Sequence, residues 1–426
     1  MGVKEMPGAR CRPISLAAGE QAGLSDAEIK AALRASFGDA RGRAKGGRAL
    51  LVIPDFTRRH SNAGFIANFL FHEFEPEIKV DLLEALGTHL PMTREQCAEM
   101  YGDIPYERFI PHNWRADVDR LGEIPGDFIR EISEGLMDEP VAVDANRLLF
   151  SGYDMIVSIG QVVPHEVVGM ANHSKNVLIG CGGADIINSS HMLGAFYGME
   201  RIMGRDRTPV RRLLDRAAEE YLSALPLSYV LTVTTAPEGK IATHGLYAGR
   251  GRGCFEEAVA LAKRKNIILL EVPLKKAVVY LDENEFHSTW LGNKAIYRTR
   301  MAMADDGELI ILAPGVRRFG EDDAVDALIR KYGYLGRERT VALCRENSDL
   351  RANLAAAAHL IHGSSDGRFA ITYCARHLSR AEVEGVGFRY MPYDEAVARY
   401  GEGKSGDFYI PNPALGLWAH ESRLEI

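Results

Sequence analysis

The sequence predicts an α/β protein with two domains, each with a mostly parallel sheet flanked by helices. Short apolar segments alternate with helical patterns along most of the chain, which is typical of parallel sheets covered on both faces. The length of 426 residues exceeds that of one ordinary domain. The alternation also restarts after Pro273, and this restart predicts a domain boundary between residues 273 and 277.

The N-terminal domain is predicted to span residues 1–273, with residues 1–20 as a loose arm. A capping-box pattern, Thr93 followed by Gln96, predicts that one helix begins at Thr93. The other predicted helices cover residues 62–73, 210–223 and 254–265. Apolar segments predict strands at 49–54, 78–85, 153–159, 177–180, 227–233 and 267–272.

The C-terminal domain is predicted to be smaller and to span residues 277–404. Its predicted strands are 308–313 and 369–373, and its predicted helices are 285–302, 321–332, 350–362, 379–384 and 393–400. We expect residues of about 405–426 to pack back on the N-terminal domain.

Composition excludes several classes of protein. A formal net charge of -7 argues against a nucleic-acid-binding protein. The chain has no apolar segment of the length that crosses a membrane, and its first residues lack the apolar centre of a signal peptide. The six cysteines form no CxxC pair, so reduced thiols are expected. These features predict a cytoplasmic location.

Polar clusters follow several predicted strands, where open α/β sheets bind their ligands. Asp55 and Arg58 follow the first strand, and the Arg58 guanidinium can hold a substrate carboxylate. A surface ion pair or a helix N-cap explains the same two residues. His89 follows Gly87 after the next strand and can act as a general acid or base, although a hydrogen-bonded polar turn is an equal alternative.

The segment from Gln161 to Met192 places three reactive side chains in a stretch with few charges. These are His165, Lys175 and His191. Lys175 lies among small residues, where partial desolvation makes an amine nucleophilic. His191 can offer a neutral nitrogen to a metal. The alternatives are a solvated lysine and a histidine at the start of a helix, and His173 is interpreted as a bystander of the same solvated kind.

Two further segments are candidates. Lys294, in Trp290-Leu-Gly-Asn-Lys294, can anchor a carboxylate, although a helix-surface lysine is the simpler interpretation. His112-Asn113-Trp114 can line a pocket or fill a turn. Phosphate-loop, HExxH and GxSxG motifs are absent from the sequence. The glycine-rich stretch 249–253 lacks the strand and downstream acid of a dinucleotide site.

Taken together, these motifs resemble the nickel-dependent lactate racemase family, whose members racemise or epimerise 2-hydroxy acids. The resemblance runs from about residue 45 to about residue 400. It is carried by IPDFTR at 53–58, GTHLP at 87–91, PHEVVGMANHSKNVLIG at 164–180, SSH at 189–191 and GNKA…DGELIILAPG at 292–315.

The resemblance implies a nickel-pincer nucleotide, a nickel pyridinium-3,5-bisthiocarboxylic acid mononucleotide, as cofactor. Lys175 is similar to the lysine that tethers it covalently, with Ser174 in the same cofactor loop. His191 is similar to the protein's nickel ligand. The resemblance further implies that other proteins synthesise and install the cofactor, and that the active site lies in an interdomain cleft.

The same resemblance implies the catalytic roles. His89 and His165 are similar to the two acid/base histidines, and Arg58 and Lys294 to the anchors of the substrate carboxylate. Asp55 is similar to a residue that orients a neighbouring histidine or arginine. The implied reaction removes a hydride from the carbon that carries the hydroxyl group and returns it to the other face.

Departures from the family pattern concern the substrate. Trp290 and Leu291 stand where the lactate enzymes have a Tyr-Gln pair, and the cofactor loop has Ser174 in place of an arginine. These changes, with the 112–114 turn, favour an acid larger than lactate, such as a sugar acid. The alternatives are an NAD-type 2-hydroxy acid dehydrogenase and a non-catalytic protein that binds organic acids. The oligomeric state is left open.

Overall fold

A computed structural model describes residues 9–19, 23–236 and 239–424. The chain forms two compact units. Unit 1 comprises the described residues of Met1–Ser190 and Gly204–Asn266, and unit 2 comprises those of His191–Met203 and Ile267–Ile426. Each unit is α/β, with mostly parallel sheets and flanking helices, which confirms the predicted fold class.

Unit 1 has eleven strands within the described residues. They are β1 Ile14–Ala17, β2 Arg48–Ile53, β3 Lys79–Glu84, β4 Phe109–Pro111, β5 Val118–Ile124, β6 Val141–Asn146, β7 Met155–Gln161, β8 Pro164–His165, β9 Gly169–Met170, β10 Leu227–Thr235 and β11 Ala242–Gly249. Seven of them form one sheet in the order β1-β11-β10-β7-β2-β3-β4. The five strands from β10 to β4 are parallel, and β11 and β1 add antiparallel pairs at one edge.

The helices of unit 1 cover the sheet. They are α1 Asp26–Arg43, α2 Ala63–Phe74, α3 Arg94–Tyr101, α4 Gly126–Ile132, α5 Ser174–Leu178, α8 Pro209–Tyr221 and α9 Arg252–Asn266, while α6 Ala184–Tyr197 carries the chain into unit 2. Apolar residues on α1 and α2, including Leu33 and Phe74, join Leu51 and Val157 of the sheet in one buried cluster. Because both faces of the central strands are covered, those strands are continuous apolar runs.

Unit 2 has a five-stranded parallel sheet in the order β16-β15-β14-β13-β17 and a parallel pair of β12 with β18. Its strands are β12 Ile267–Leu270, β13 Leu274–Tyr280, β14 Met303–Ala313, β15 Ala370–Ala375, β16 Arg389–Tyr390, β17 Phe408–Ile410 and β18 Leu417–His420. Its helices are α7 Met199–Ile202, α10 Thr289–Gly292, α11 Lys294–Thr299, α12 Asp323–Tyr332, α13 Arg337–Glu346, α14 Ser348–Arg351, α15 Leu354–His362, α16 Arg380–Gly385 and α17 Tyr393–Tyr400.

The division of the chain differs from the sequence prediction in three respects. The boundary falls after Asn266, the segment His191–Met203 belongs to unit 2, and so do the described residues after 404. The physical reason is a shared apolar core, in which Met199 and Met203 pack with Ile267 and with Leu417 of β18. A pattern of local hydrophobicity does not reveal such long-range packing.

Several predicted elements have other forms. Residues 177–180 form no strand, because Ser174–Leu178 is a helix, and a four-residue apolar run does not distinguish the two. Predicted helix 285–302 is two short helices that meet at Asn293. Ile14–Ala17 pairs with β11, whereas residues 1–8 and 20 of the predicted arm lie outside the described residues. The capping box at Thr93 is present as predicted.

Among the described helices, none has the length and apolar character needed to cross a membrane.

Candidate active site

Two neighbouring strands of unit 1 bring Asp55 and His89 together. Strands β2 and β3 are parallel, with Ile53 opposite Glu84, so the chain leaves both at the same edge of the sheet. Asp55 then caps a short 3-10 helix, Phe56–Ser61. Gly87 adopts a positive φ of 56° in the turn before His89, a conformation that a residue without a Cβ adopts without strain.

Asp55 and His89 form a hydrogen-bonded pair. His89 Nδ1 lies 2.7 Å from Asp55 Oδ2, and the other carboxylate oxygen accepts from the backbone N–H of Thr57 at 2.8 Å. Burial opposes ionisation of Asp55, but hydrogen bonds from His89 and Thr57 and the charge of Arg58 outweigh it, so its pKa lies well below its usual value. An ionised carboxylate only accepts hydrogen bonds, so His89 carries its proton on Nδ1 and leaves Nε2 as a base.

Buried side chains form hydrogen bonds to the backbone near this pair. The Tyr101 hydroxyl donates to the carbonyl of Pro54 at 2.5 Å, and the Glu84 carboxylate accepts from the N–H of Met92 at 3.1 Å. Arg58 is exposed, and its backbone N–H donates to the Asp55 carbonyl at 3.0 Å. The buried contacts hold the strand ends, while the Arg58 side chain extends towards solvent.

His165 lies on a tight hairpin that follows β7. It pairs with Gly169, which has a φ of 88°, and the residue as a whole is 8% exposed. The backbone N–H of Val167 donates to His165 Nδ1 at 3.1 Å. An acceptor nitrogen carries no proton, so the neutral ring holds its proton on Nε2. The two predicted acid/base histidines therefore have opposite tautomers.

Lys175 follows the hairpin at the start of α5 and lies near the turn that carries His89. The N–H of Gly87 donates to the carbonyl of Gly180, just after α5, at 2.8 Å. Burial lowers the pKa of the Lys175 amine to about 8, and the charge of Arg58 acts in the same direction, while Glu166 and Asp55 oppose it. A larger share of this amine is therefore neutral near pH 7 than in an exposed lysine.

The loop before Lys175 is buried, which corrects the interpretation of His173 as a solvated bystander. His173 is 6% exposed, and its ring lies 4.0 Å from that of Tyr229 and 5.3 Å from that of Phe255. Burial and the charge of Arg211 lower its pKa to about 4. The Ser174 hydroxyl, predicted to lie at the cofactor, donates to Asp215 at 2.6 Å and accepts from Arg211 at 2.8 Å.

Unit 2 holds the remaining predicted residues. His191 is half-buried within α6, so it does not begin a helix, and Lys294 is the first residue of α11. The Lys294 amine lies 5.7 Å from the centre of the Phe286 ring. Within the described residues, no cluster of three or more His, Cys, Asp or Glu side chains has the arrangement of a metal site.

Trp290 belongs to a buried polar cluster in unit 2 that sequence reasoning did not find. Its ring lies 4.5 Å from that of His359. His359 Nε2 lies 3.0 Å from the Tyr334 hydroxyl, which in turn lies 2.8 Å from the Thr289 hydroxyl. Burial lowers the pKa of His359 to about 3. The sequence feature that could have indicated this cluster is a histidine, His359, on the apolar face of α15.

His112 is part of the core. It is 3% exposed; its Nε2–H donates to the Gly182 carbonyl at 2.9 Å, and its Nδ1 accepts from the Asn146 amide at 2.9 Å. Both nitrogens are satisfied, and burial lowers its pKa. Trp114 is stacked under the Arg115 guanidinium at 3.8 Å. The substrate role expected of this turn stays a prediction for Asn113 and Trp114, which are not buried.

Fold and site together define an α/β protein with an aspartate–histidine pair and a lysine at one edge of a parallel sheet. Residues 14–202 match the lactate racemase N-terminal domain. This match confirms, over residues 14–202, the resemblance to the lactate racemase family that the motifs carry. A comparison with curated protein sequences gives no match.

Solved structures share the fold over nearly the whole chain. A Thermotoga maritima protein from a structural genomics programme is similar with a TM-score of 0.81 and 24% identity, covering 95% of this chain and 100% of its own. The lactate racemase apoprotein from Thermoanaerobacterium thermosaccharolyticum is similar with a TM-score of 0.72 and 15% identity, covering 97% and 95%. At these identities the likeness concerns the fold.

Proposed function

We propose that this protein is a racemase or epimerase of a 2-hydroxy acid and uses a nickel-pincer nucleotide tethered at Lys175. One observation carries the proposal: the turn that holds the aspartate-oriented base His89 is hydrogen-bonded to the end of the short helix that holds Lys175, whose amine has a lowered pKa. A base for a hydroxyl proton and an attachment point for a cofactor are the two groups that this reaction requires of the protein.

The residues present fit the proposed cofactor. Amide or thioamide formation at a lysine needs the neutral amine, and burial of Lys175 favours that form. His191 would supply a neutral imidazole nitrogen, a ligand that suits nickel. When bound, the cofactor would accept and return a hydride at the carbon that carries the substrate hydroxyl group. Proteins that synthesise and install it are the partners that this proposal requires.

The two histidines would divide the proton transfers between them. His89, with its proton on Nδ1 held by Asp55, would accept the substrate hydroxyl proton at Nε2. His165, with its proton on Nε2, would donate to the oxygen when the other face is reduced. The opposite tautomers match these roles for one direction of the reaction, and the reverse direction exchanges the roles.

Arg58 and Lys294 would bind the substrate carboxylate. Arg58 is exposed beside Asp55, and its planar guanidinium can grip a carboxylate with two hydrogen bonds. Lys294 would contribute a single positive charge. We further propose that the acid is larger than lactate, since Trp290 is held against the neutral ring of His359.

Mass spectrometry of Lys175 provides the direct test. The chain is coexpressed with cofactor-biosynthesis proteins, and the Lys175 peptide is expected to carry added mass, with nickel in the intact protein. Lys79→Arg, at an exposed strand start, is the matched control and should keep the modification, whereas Lys175→Arg should lose it. Unmodified Lys175 in fully active protein would refute the tether.

The reaction itself is tested with single enantiomers of 2-hydroxy acids in deuterium oxide. Hydride return predicts epimerised product that keeps its hydrogen at C2, whereas deprotonation at that carbon would introduce deuterium. Turnover that needs added NAD and ignores nickel would instead indicate a dehydrogenase. Binding of the acids without any turnover would indicate a non-catalytic binding protein.

A further inference from the structure

The two residues before the Ser174-Lys175 pair have an unusual backbone. Asn172 has a φ of 71°, and His173 has a φ of 58° with a ψ of -131°. Asparagine tolerates positive φ, but histidine does so at a cost, and such strain persists only where the surroundings over-determine the conformation. Side chains around the loop, mainly from helix α8, hold the backbone in this conformation.

Arg211, on the inner face of α8, makes most of these contacts. Its side chain is fully buried, at 0% exposure. Its guanidinium donates to the Ser174 hydroxyl at 2.8 Å, to the Met170 carbonyl at 2.6 Å and to the Asn172 carbonyl at 3.1 Å. Two nitrogens of one rigid guanidinium, Nη1 and Nη2, therefore bind three parts of the loop, a planar arrangement that a lysine ammonium does not reproduce.

Asp215, one turn further along α8, closes the arrangement. Its carboxylate accepts from the Ser174 hydroxyl at 2.6 Å and pairs with Arg252. Arg211 Nη1 lies 3.8 Å from Asp215 Oδ1, so the carboxylate compensates the charge of the guanidinium directly. A buried arginine without such a partner would be strongly destabilising, so Arg211, Asp215 and Ser174 form one unit, which we call the α8 clamp.

The remaining sides of the loop are also filled. The His173 ring contacts those of Tyr229 and Phe255 in tilted arrangements, with interplanar angles of 30° and 31°. A Cβ at Gly160, on β7, would lie 2.1 Å from the Asn172 side-chain nitrogen, so only glycine leaves room for that amide. The Asn176 amide donates to the Ser158 hydroxyl at 2.9 Å. The backbone on both sides of Lys175 is thus held.

We propose that the α8 clamp positions Lys175, so that its half-buried side chain is held in a preorganised place for acylation. The proposal rests on the proposed function for the identity of the acylating group, but not for the geometry. Arg211 and Asp215 are positioning residues in this scheme and touch no reacting atom.

The clamp has a measurable consequence for the amine. The charged groups that act on Lys175 are Arg58 and Arg211, which favour the neutral form, and Glu166 and Asp55, which favour the charged form. Burial is the largest influence, and it lowers the pKa to about 8. If the loop loosens, water reaches the amine and its pKa should rise towards the ordinary value of 10.5.

The experiment measures the pH profile of Lys175 acetylation in cofactor-free full-length protein. Limiting acetic anhydride is applied at several pH values, and peptide mass spectrometry compares Lys175 with exposed Lys79 in the same sample. We expect a midpoint near 8 in the parent protein. In Ser174→Ala, Arg211→Met and Arg211→Lys it should rise by about one unit, which makes labelling at pH 7 about tenfold slower.

Arg212→Met is the matched control, since Arg212 neighbours Arg211 but is half-exposed and pairs with Glu131. Its profile should equal that of the parent. An unchanged midpoint in folded Ser174→Ala would overturn the proposal, and that variant decides the question if the Arg211 variants do not fold. A parent-like Arg211→Lys would also overturn it, because charge alone would then suffice. None of these outcomes depends on turnover, so failure of the clamp is distinct from failure of the proposed function.

Discussion

Asp55 Oδ2 lies 2.7 Å from His89 Nδ1, and this contact assigns the proton of a half-exposed histidine. The aspartate is buried and ionised. The other imidazole nitrogen, Nε2, takes no part in this hydrogen bond and can accept a proton from a substrate. Aspartate–histidine pairs of this kind orient the ring and stabilise its charged form during proton transfer. The contact requires two loops that are 34 residues apart in sequence.

Asp55→Asn should reduce turnover, because an asparagine amide can donate to Nδ1 and so favour the wrong tautomer. The loss should lie within the range of general acid–base contributions, about 10²–10⁴-fold. Racemisation by the cofactor-loaded protein, followed by chiral chromatography, measures it. Arg59→Met, on the same 3-10 helix, is the control. If Asp55→Asn keeps the parent rate with its fold intact, Asp55 does not orient a catalytic base.

Nitrogen NMR should report opposite tautomers for the two histidines. In protein with labelled imidazole rings above pH 8, His89 should show its proton on Nδ1 and His165 on Nε2, as their hydrogen bonds require. Long-range ¹H–¹⁵N correlation distinguishes the two forms, and His89→Gln and His165→Gln assign the signals. The same tautomer at both positions would contradict the division of roles.

Acid should destabilise unit 1 through His173. Its pKa is lowered from 6.5 to about 4 by burial and by the charge of Arg211, so between these values the unfolded chain binds more protons than the native one. Stability should therefore be full above about pH 6.5 and should decline as the pH falls to about 4, by about 3 kcal/mol in total.

Urea denaturation at a series of pH values measures that decline. His173→Asn removes the titrating ring while keeping a residue that tolerates positive φ. The number of protons taken up on unfolding, which sets the slope of the unfolding free energy against pH, should therefore fall by about one. His377→Asn changes an exposed histidine and should leave the dependence as it was. Equal pH dependence in His173→Asn and the parent would show that His173 protonates without cost in the native state.

Tyr334→Phe should destabilise unit 2 by about 1–3 kcal/mol, since it leaves buried polar groups without a partner. Thr289 donates to the Phe319 carbonyl at 2.9 Å, so the Tyr334 hydroxyl must donate to Thr289 and accept from His359. Urea denaturation followed by tryptophan fluorescence is the measurement. Tyr390→Phe, on a half-exposed tyrosine, should cost little. A stability equal to that of the parent would mean that the chain of hydrogen bonds is not maintained.

Local patterns were enough for much of the fold. The apolar run at 49–53 and the capping box at Thr93 are signals within a few residues, and both elements are present. The predictions failed where an apolar run is too short to show a period, as at residues 177–180. They also failed where a helix is interrupted, as at Asn293. Helix Arg337–Glu346 was missed because its charged sequence has few apolar positions to reveal a buried face.

By itself the sequence determined the alternating α/β order, the strand ends that carry Asp55 and His89, and the family motifs around Lys175. Each depends on residues close together in the chain. Only the tertiary structure decided that His89 pairs with Asp55, that Arg211 and Asp215 hold the Lys175 loop, and that residues 191–203 belong to unit 2. Proton positions, buried charges and domain membership arise from contacts between distant segments, and these have no local signature.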